Sequence, residues 1–161
     1  LTLNLENFDL LLLFNEVLEA QEMLARSRNI SCAINIKNDG QIFVNADRKR
    51  LAQVITNLIV NSITYGKEGG TTSINFYDME SGILVEIKDN GIGIETSDLK
   101  RIFERFYRVD KSRSRNQGGT GLGLSIVKHI IEAHNQSINV KSEINEGTSF
   151  TFTLNKATIK K

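Results

Sequence analysis

Apolar and polar positions alternate from the first residues of the chain. The stretch LTLNLENF has the period of two that predicts a strand. Asp9 follows as a cap, because its side-chain oxygen can accept from the free N–H groups of a helix start. Leu10, Leu13, Phe14, Val17 and Leu24 then keep a helical period to about Arg28. ISCAINI and QIFVNA alternate and flank KNDG, a pattern that predicts a hairpin. Asp47 caps a second helix whose buried stripe is Leu51, Val54, Ile55, Leu58, Ile59 and Ile63. TTSINFYDM and GILVEIKD read as two strands joined at ESG. A short helical segment from about Ser97 to Phe106 precedes a basic loop, a glycine cluster and a third long helix. SINVKSE and GTSFTFTL form a closing hairpin, and NKATIKK a frayed tail. Strands and helices mix without strict βαβ alternation. The expected fold class is therefore α+β, a two-layer α/β sandwich with helices on one face of a mixed sheet.

Composition narrows this picture without redirecting it. The chain has 161 residues, enough for one domain with a sizeable core. Hydrophobic residues make up 40% and charged residues 24%, a soluble globular balance. The longest apolar run, Leu10 to Phe14, is far too short to cross a bilayer. The start at Leu1, without a signal-peptide pattern, suggests a piece of a longer protein. Cys32 is the only cysteine, so no internal disulfide can form, and a reducing compartment is the simplest fit. A net charge of +1 gives no global signal for nucleic acid. The exception is local. Arg101, Arg105, Arg108, Lys111, Arg113 and Arg115 face only Glu104 and Asp110, which suits either a solvated loop or an arm that meets an anion.

Three stretches carry candidate chemistry. On the second helix Gln53, Asn57, Asn61 and Tyr65 are spaced by four, so they share one side. Asparagine competes for backbone hydrogen bonds within a helix, so two of them beside a buried stripe call for a reason. They either bond neighbouring backbone or offer amide oxygens to a hard cation such as Mg²⁺. In DNGIGI, Asp89 stands at the end of a strand with Gly91 and Gly93 after it. This suits an Asn-Gly turn, or a carboxylate that accepts from an exocyclic amine while the glycines admit a flat ring. In NQGGTGLGLSIVKHIIEAH, Gly119, Gly121 and Gly123 run into a helix start, where free N–H groups suit phosphates. No Gly-Lys-Ser/Thr follows, and Leu124 occupies the place of a third Rossmann glycine. A flexible connector is the other reading. In this order the stretches together point to one ligand, a magnesium nucleotide.

The sequence resembles the catalytic ATP-binding domain of bacterial two-component sensor histidine kinases, within the group that includes gyrase and Hsp90-type chaperones. QVITNLIVNSITY is similar to that family's asparagine box, DNGIGI to its first glycine box, IFERFYRVD to its phenylalanine box and GTGLGLSIVK to its second glycine box. The likeness runs from about residue 2 to residue 154, and residues 1–155 are expected to form the catalytic domain with 156–161 as a tail. The resemblance implies a Bergerat-type fold, a sheet of about five strands with three main helices on one face. It implies ATP and Mg²⁺ as ligands. Asn61 would hold the metal, Asn57 would lie beside the phosphates, and Tyr65 would pack near adenine. Asp89 would bind the adenine amino group, with Gly91 and Gly93 shaping the pocket. Phe103 and Phe106 would anchor a lid from about Arg108 to Thr120, and Arg108, with Arg113 or Arg115, would reach the phosphates. Gly119, Thr120, Gly121, Leu122 and Gly123 would bind the nucleotide, the glycines hinging the lid. Asn57 and Arg108 are the expected catalytic residues.

The same resemblance implies transfer of the γ-phosphoryl group to a histidine on a separate dimerisation helix, for relay to a response-regulator aspartate. The parent would be a homodimer anchored in the inner membrane upstream, with this fragment a monomer in the cytoplasm that binds no nucleic acid. ATP-hydrolysing members of the wider group carry glutamate where this chain has Asn57, and an amide cannot take a proton from water. The acceptor histidine of the family precedes an acidic residue. His129 precedes Ile130 and His134 precedes Asn135, so both read as ordinary helix residues. Thr64 replaces a usual lysine, which leaves open a non-enzymatic nucleotide-binding signalling module. Asn135 and Gln136 replace two glycines, but asparagine tolerates the left-handed conformation and can still stop the helix.

Overall fold

The computed structural model describes residues 1–36, 40–108 and 123–157. Strand β1 (Leu5–Asp9) passes directly into helix α1 (Leu10–Ala20), and the Asp9 carboxylate accepts from the Leu11 N–H at 2.9 Å. The apolar period continues beyond Ala20, but the helix does not. The Gln21 N–H turns back to the Val17 and Leu18 carbonyls, and a separate α2 (Glu22–Ser27) follows. The order then runs β2 (Ser31–Asn35), β3 (Phe43–Asp47), α3 (Arg48–Thr64), β4 (Thr71–Asp78), β5 (Gly82–Asp89) and a short α4 (Thr96–Leu99). Helix α5 (Gly123–Ala133) and the strands β6 (Ile138–Glu143) and β7 (Gly147–Lys156) complete it.

Among the described residues seven strands form one mixed sheet, ordered β1-β3-β7-β5-β4-β2, with β6 also paired to β7. The expected sheet of about five strands is therefore too small, because every segment with a period of two joins it. Strand β7 is long enough to hold β5 along one edge and β6 and β3 in succession along the other. The expected β2–β3 hairpin does not form. β2 pairs in parallel with β4 at one edge of the sheet, and β3 lies between β1 and β7. Alternation identifies a strand but not its partner, and here burial decides. Val44 and Ala46 of β3 are fully buried, whereas β2 alternates between half-buried Cys32 and Ile34 and exposed residues, the pattern of an edge.

One face of the sheet carries the core. Ile74, Ile83, Val85, Ile87, Phe150, Phe152 and Leu154 meet the stripe of α3, Leu10, Leu13 and Phe14 of α1, and Val127, Ile130 and Ile131 of α5. All six α3 positions expected in the stripe are completely buried. The opposite face is polar: Asn35 donates to Asn75 (2.7 Å), Asn75 to Glu86 (2.9 Å), and Ser149 to the other Glu86 oxygen (3.0 Å). A sheet with one apolar and one hydrogen-bonded polar face needs only one layer of helices.

Asp47 and His134 lock that layer together. The Asp47 carboxylate accepts from the Arg50 N–H (3.1 Å), capping α3, and from the Asn4 N–H (2.9 Å), which holds the chain ahead of β1. Its own N–H donates to His134 Nε2 (3.0 Å), and His134 Nδ1 donates to the Ile130 carbonyl (2.8 Å). His134 is thus a buried structural residue, as expected of an ordinary helix histidine. After it Asn135 adopts φ 58°, with Gln136 N–H on the Ile131 carbonyl and Asn135 N–H on that of Glu132. This is a Schellman stop for α5, with asparagine supplying the left-handed residue.

Candidate functional site

β5 ends at Asp89, a residue only 6% exposed although it has no cationic partner among the described residues. Its Oδ1 accepts from the Gly91 N–H (2.9 Å) and the Thr148 N–H (3.2 Å), and the Ser62 hydroxyl donates to the same carboxyl group. Burial raises the carboxyl above its ordinary value, and these three donors oppose that shift. A carboxylate has about four acceptor positions, so beside these three donors among the described residues one remains for an incoming donor.

The loop after Asp89 is fixed by backbone packing. A Cβ on Gly91 would lie 2.3 Å from the Tyr65 carbonyl oxygen, so only glycine fits against the end of α3. Gly93 has φ 77°, and a Cβ there would meet the Glu143 carbonyl at 2.1 Å. The close approach that these glycines allow is made here by the protein's own chain, which forms the wall beside Asp89. The Ile92 N–H donates to the Tyr65 carbonyl (3.3 Å) and ties this wall to α3. Tyr65 is the C-terminal cap of α3, and an Arg28 guanidinium N–H holds the next carbonyl, that of Gly66.

Asn57 and Asn61 lie half-buried on the flank of α3. A Cβ built on Gly123, the first residue of α5, would lie 3.8 Å from the Asn57 Oδ1. The structure therefore brings an amide-bearing helix face, the N-terminus of another helix and a buried carboxylate onto connected elements. Such a set can accept from an amine at one end and meet anionic oxygens with side-chain amides and a helix N-terminus at the other.

The stretch after α4 departs from one expectation. Phe103 packs edge-on against Phe150 with ring centroids 6.2 Å apart, and Lys128 Nζ lies 5.8 Å from the Phe103 ring. Phe106 does not anchor anything by burial: it is 65% exposed, with φ 65°. Ile102, four residues earlier in the same turn segment, is buried instead. The Tyr107 hydroxyl donates to Asp98, and this raises the phenol above its ordinary range. Arg108 is half-buried. Gly119, Thr120, Gly121, Leu122, Arg113 and Arg115 lie outside the described residues.

The model of the family described as histidine kinase-, DNA gyrase B- and HSP90-like ATPase matches residues 46–158. That span holds α3, the Asp89 loop, α5 and β7. The chain belongs to this ATPase family. Sensor histidine kinase WalK of Bacillus subtilis (strain 168) is 44% identical over 118 residues, 72% of this chain and 19% of that protein. Sensor protein kinase WalK of Staphylococcus aureus is 38% identical over 156 residues, 94% of this chain and 36% of that protein. The chain thus spans well under half the length of these curated relatives. Among solved structures, the nucleotide-free catalytic domain of histidine kinase ThkA superposes with a TM-score of 0.83 at 32% identity, over 96% of this chain and 97% of that one. Full-length ShkA in complex with AMPPNP gives 0.84 at 25% identity, over 99% and 33%. ThkA in complex with response regulator protein TrrA gives 0.77 at 29%, over 95% and 42%.

As an ATPase-family domain the chain carries a fold for ATP. The structure adds residues that motif reading passes over. Thr148 reaches Asp89 from β7, and buried Ser62 and Thr72 share a 2.7 Å hydroxyl contact behind it. Thr148 could have been suspected from the Gly-Thr pair opening a strongly apolar strand. Ser62 and Thr72 give no signal alone, because a serine or threonine in a helix or strand is ordinary.

Proposed function

We propose that this domain binds Mg-ATP and supplies its γ-phosphoryl group to a histidine on a separate dimerisation helix of the same sensor kinase, for relay to a response-regulator aspartate. The observation that carries this is the buried Asp89 at a strand end, with no cationic partner and one acceptor position left among the described residues, beside an amide-bearing helix. A buried carboxylate of that kind is costly unless a ligand uses it.

In this reading Asp89 accepts the adenine 6-amino group, and Gly91 and Gly93 fix the pocket wall. Tyr65 packs at the base, while Gly119, Thr120, Gly121, Leu122 and Gly123 place backbone N–H groups toward the phosphates. Asn61 holds Mg²⁺. Among the described residues no cluster of three His, Cys, Asp or Glu side chains could hold a metal. A single amide oxygen, phosphate oxygens and water fit the way Mg²⁺ is usually bound. The bound metal neutralises phosphate charge, and Arg108 adds a cation there. Asn57 orients the phosphates and leaves water unactivated, so ATP waits for the histidine nucleophile. Transfer then depends on alignment and charge neutralisation.

ShkA with AMPPNP and ThkA with TrrA support the nucleotide and response-regulator parts of this reading. The parent protein is proposed to be a homodimer held at the inner membrane by segments outside this chain. No described helix is long and apolar enough to cross a membrane. Thr64, in the place of a phosphate-contacting lysine, favours a second reading, a nucleotide-binding module without transfer activity. Mixing the domain with its own dimerisation helices and γ-labelled ATP separates the two. Label on histidine is expected; bound nucleotide with no labelled histidine supports the module, and free phosphate alone contradicts both.

A further inference from the structure

Two buried hydroxyls stand behind the carboxylate of β5 with no ligand role assigned to them. Ser62, in the last turns of α3, is 3% exposed, and Thr72 of β4 is fully buried. Their oxygens are 2.7 Å apart, and Ser62 also bonds Asp89. Thr72 and Asp89 face each other across β4 and β5, so the three groups occupy one compact corner.

The direction of the protons follows from valence. An ionised carboxylate only accepts, so the single Ser62 proton goes to Asp89. The Ser62 oxygen then has only acceptor capacity left, and Thr72 must donate to it. The result is a directed chain from Thr72 through Ser62 to Asp89, stiffened because each donor is polarised by the next. The other two donors on Asp89 are main-chain N–H groups of Gly91 and Thr148. They hold its position but cannot be retuned by a side chain.

We propose that Ser62, supported by Thr72, is a positioning residue that keeps the Asp89 carboxylate an acceptor and so sets selectivity for a 6-aminopurine over a 6-oxopurine. This rests on the adenine reading above. A 6-amino group donates and suits an ionised Asp89. A 6-oxo group accepts and is repelled by it, but is welcomed by a protonated carboxyl that can donate. Burial pushes Asp89 toward the protonated form, and the Ser62 hydroxyl opposes that. No charged side chain acts on Asp89 from α3, β4, β7 or the loop after β5 among the described residues; burial, the two N–H groups and Ser62 are the influences on it.

The test is calorimetric titration of the whole chain with Mg-ATP and with Mg-ITP from mildly acidic to neutral pH. Wild type, Ser62→Ala, Thr72→Val and the double variant are compared, with folding verified by circular dichroism. Ser62→Ala is expected to move the acid limb of ATP affinity upward by about one pH unit, a tenfold loss below it. It should also reduce the ATP-over-ITP preference by a similar factor. Thr72→Val should act in the same direction and more weakly, and add little in the double variant. Folded variants with the wild-type acid limb and the wild-type ATP-to-ITP ratio overturn the role of Ser62. A wild type without preference for ATP over ITP overturns the adenine reading itself. Thr72→Val keeps the question answerable should Ser62→Ala fail to fold.

Discussion

At the scale of single residues, Asp89 and His134 are both buried polar groups, and they answer to opposite needs. Asp89 is pushed up by burial, with no cation among the described residues to relieve it. For a carboxyl raised in the folded state, stability falls as pH rises from the ordinary value, about 3.9, through the folded one. Folding therefore pays for this group at neutral pH. Asp89→Asn keeps an oxygen for the Gly91 and Thr148 N–H groups, which forces the amide NH₂ toward the incoming amine. The expected outcome is an unliganded melting temperature that holds or rises at neutral pH. Affinity for ADP should fall by about 30-fold or more, roughly 2 kcal/mol. Thermal melts and calorimetry check both halves. His134, by contrast, serves only the fold. His134→Ala leaves the Asp47 N–H without an acceptor and opens a cavity, so it should cost about 3 kcal/mol. Nucleotide affinity measured well below the melting temperature should not change.

At the scale of elements, what the sequence discloses divides by whether the signal is local. The caps at Asp9 and Asp47, the α3 stripe and the β4–β5 and β6–β7 hairpins all form as read, since each depends on neighbours within a few residues. The break at Gln21 and the partners of β2 and β3 depend on what the rest of the chain covers, and the sequence carries no local mark of either. Asn135 is a case where chemistry sufficed: at φ 58° it stops α5 in place of glycine. Asn135→Ala should cost about 1 kcal/mol from left-handed strain, and Asn135→Gly nothing or a slight gain, as measured by denaturant unfolding. The Asp47 junction gives a pH prediction. Burial raises its carboxyl, but the hydrogen bonds from the Asn4 and Arg50 N–H groups and the nearby Arg50 charge oppose that, and the net shift is downward. Its stabilisation is present above the ordinary carboxylate value and is lost as pH falls through the folded one. Asp47→Asn should therefore flatten the acid side of the melting-temperature profile.

At the scale of the whole molecule, the architecture explains why the site sits where it does. The end of β5 and the start of β7 meet the C-terminal half of α3 at Asp89, and the first residue of α5 lies beside Asn57 on the same helix. The motifs were legible because they combine glycines, amides and a strand-end carboxylate in a fixed order. The Ser62–Thr72 support was not, because its meaning arises only when α3 and β4 come together. The relatives share this plan across nearly the whole of the present chain, as the ThkA catalytic domain shows. This corner is proposed to bind an adenine nucleotide together with its metal. Calorimetric titration of the folded domain with Mg-ADP tests it most directly. Saturable one-to-one binding that weakens when magnesium is withdrawn is the expected result, and a correctly folded domain that takes up no heat-detectable nucleotide at millimolar concentration would contradict it.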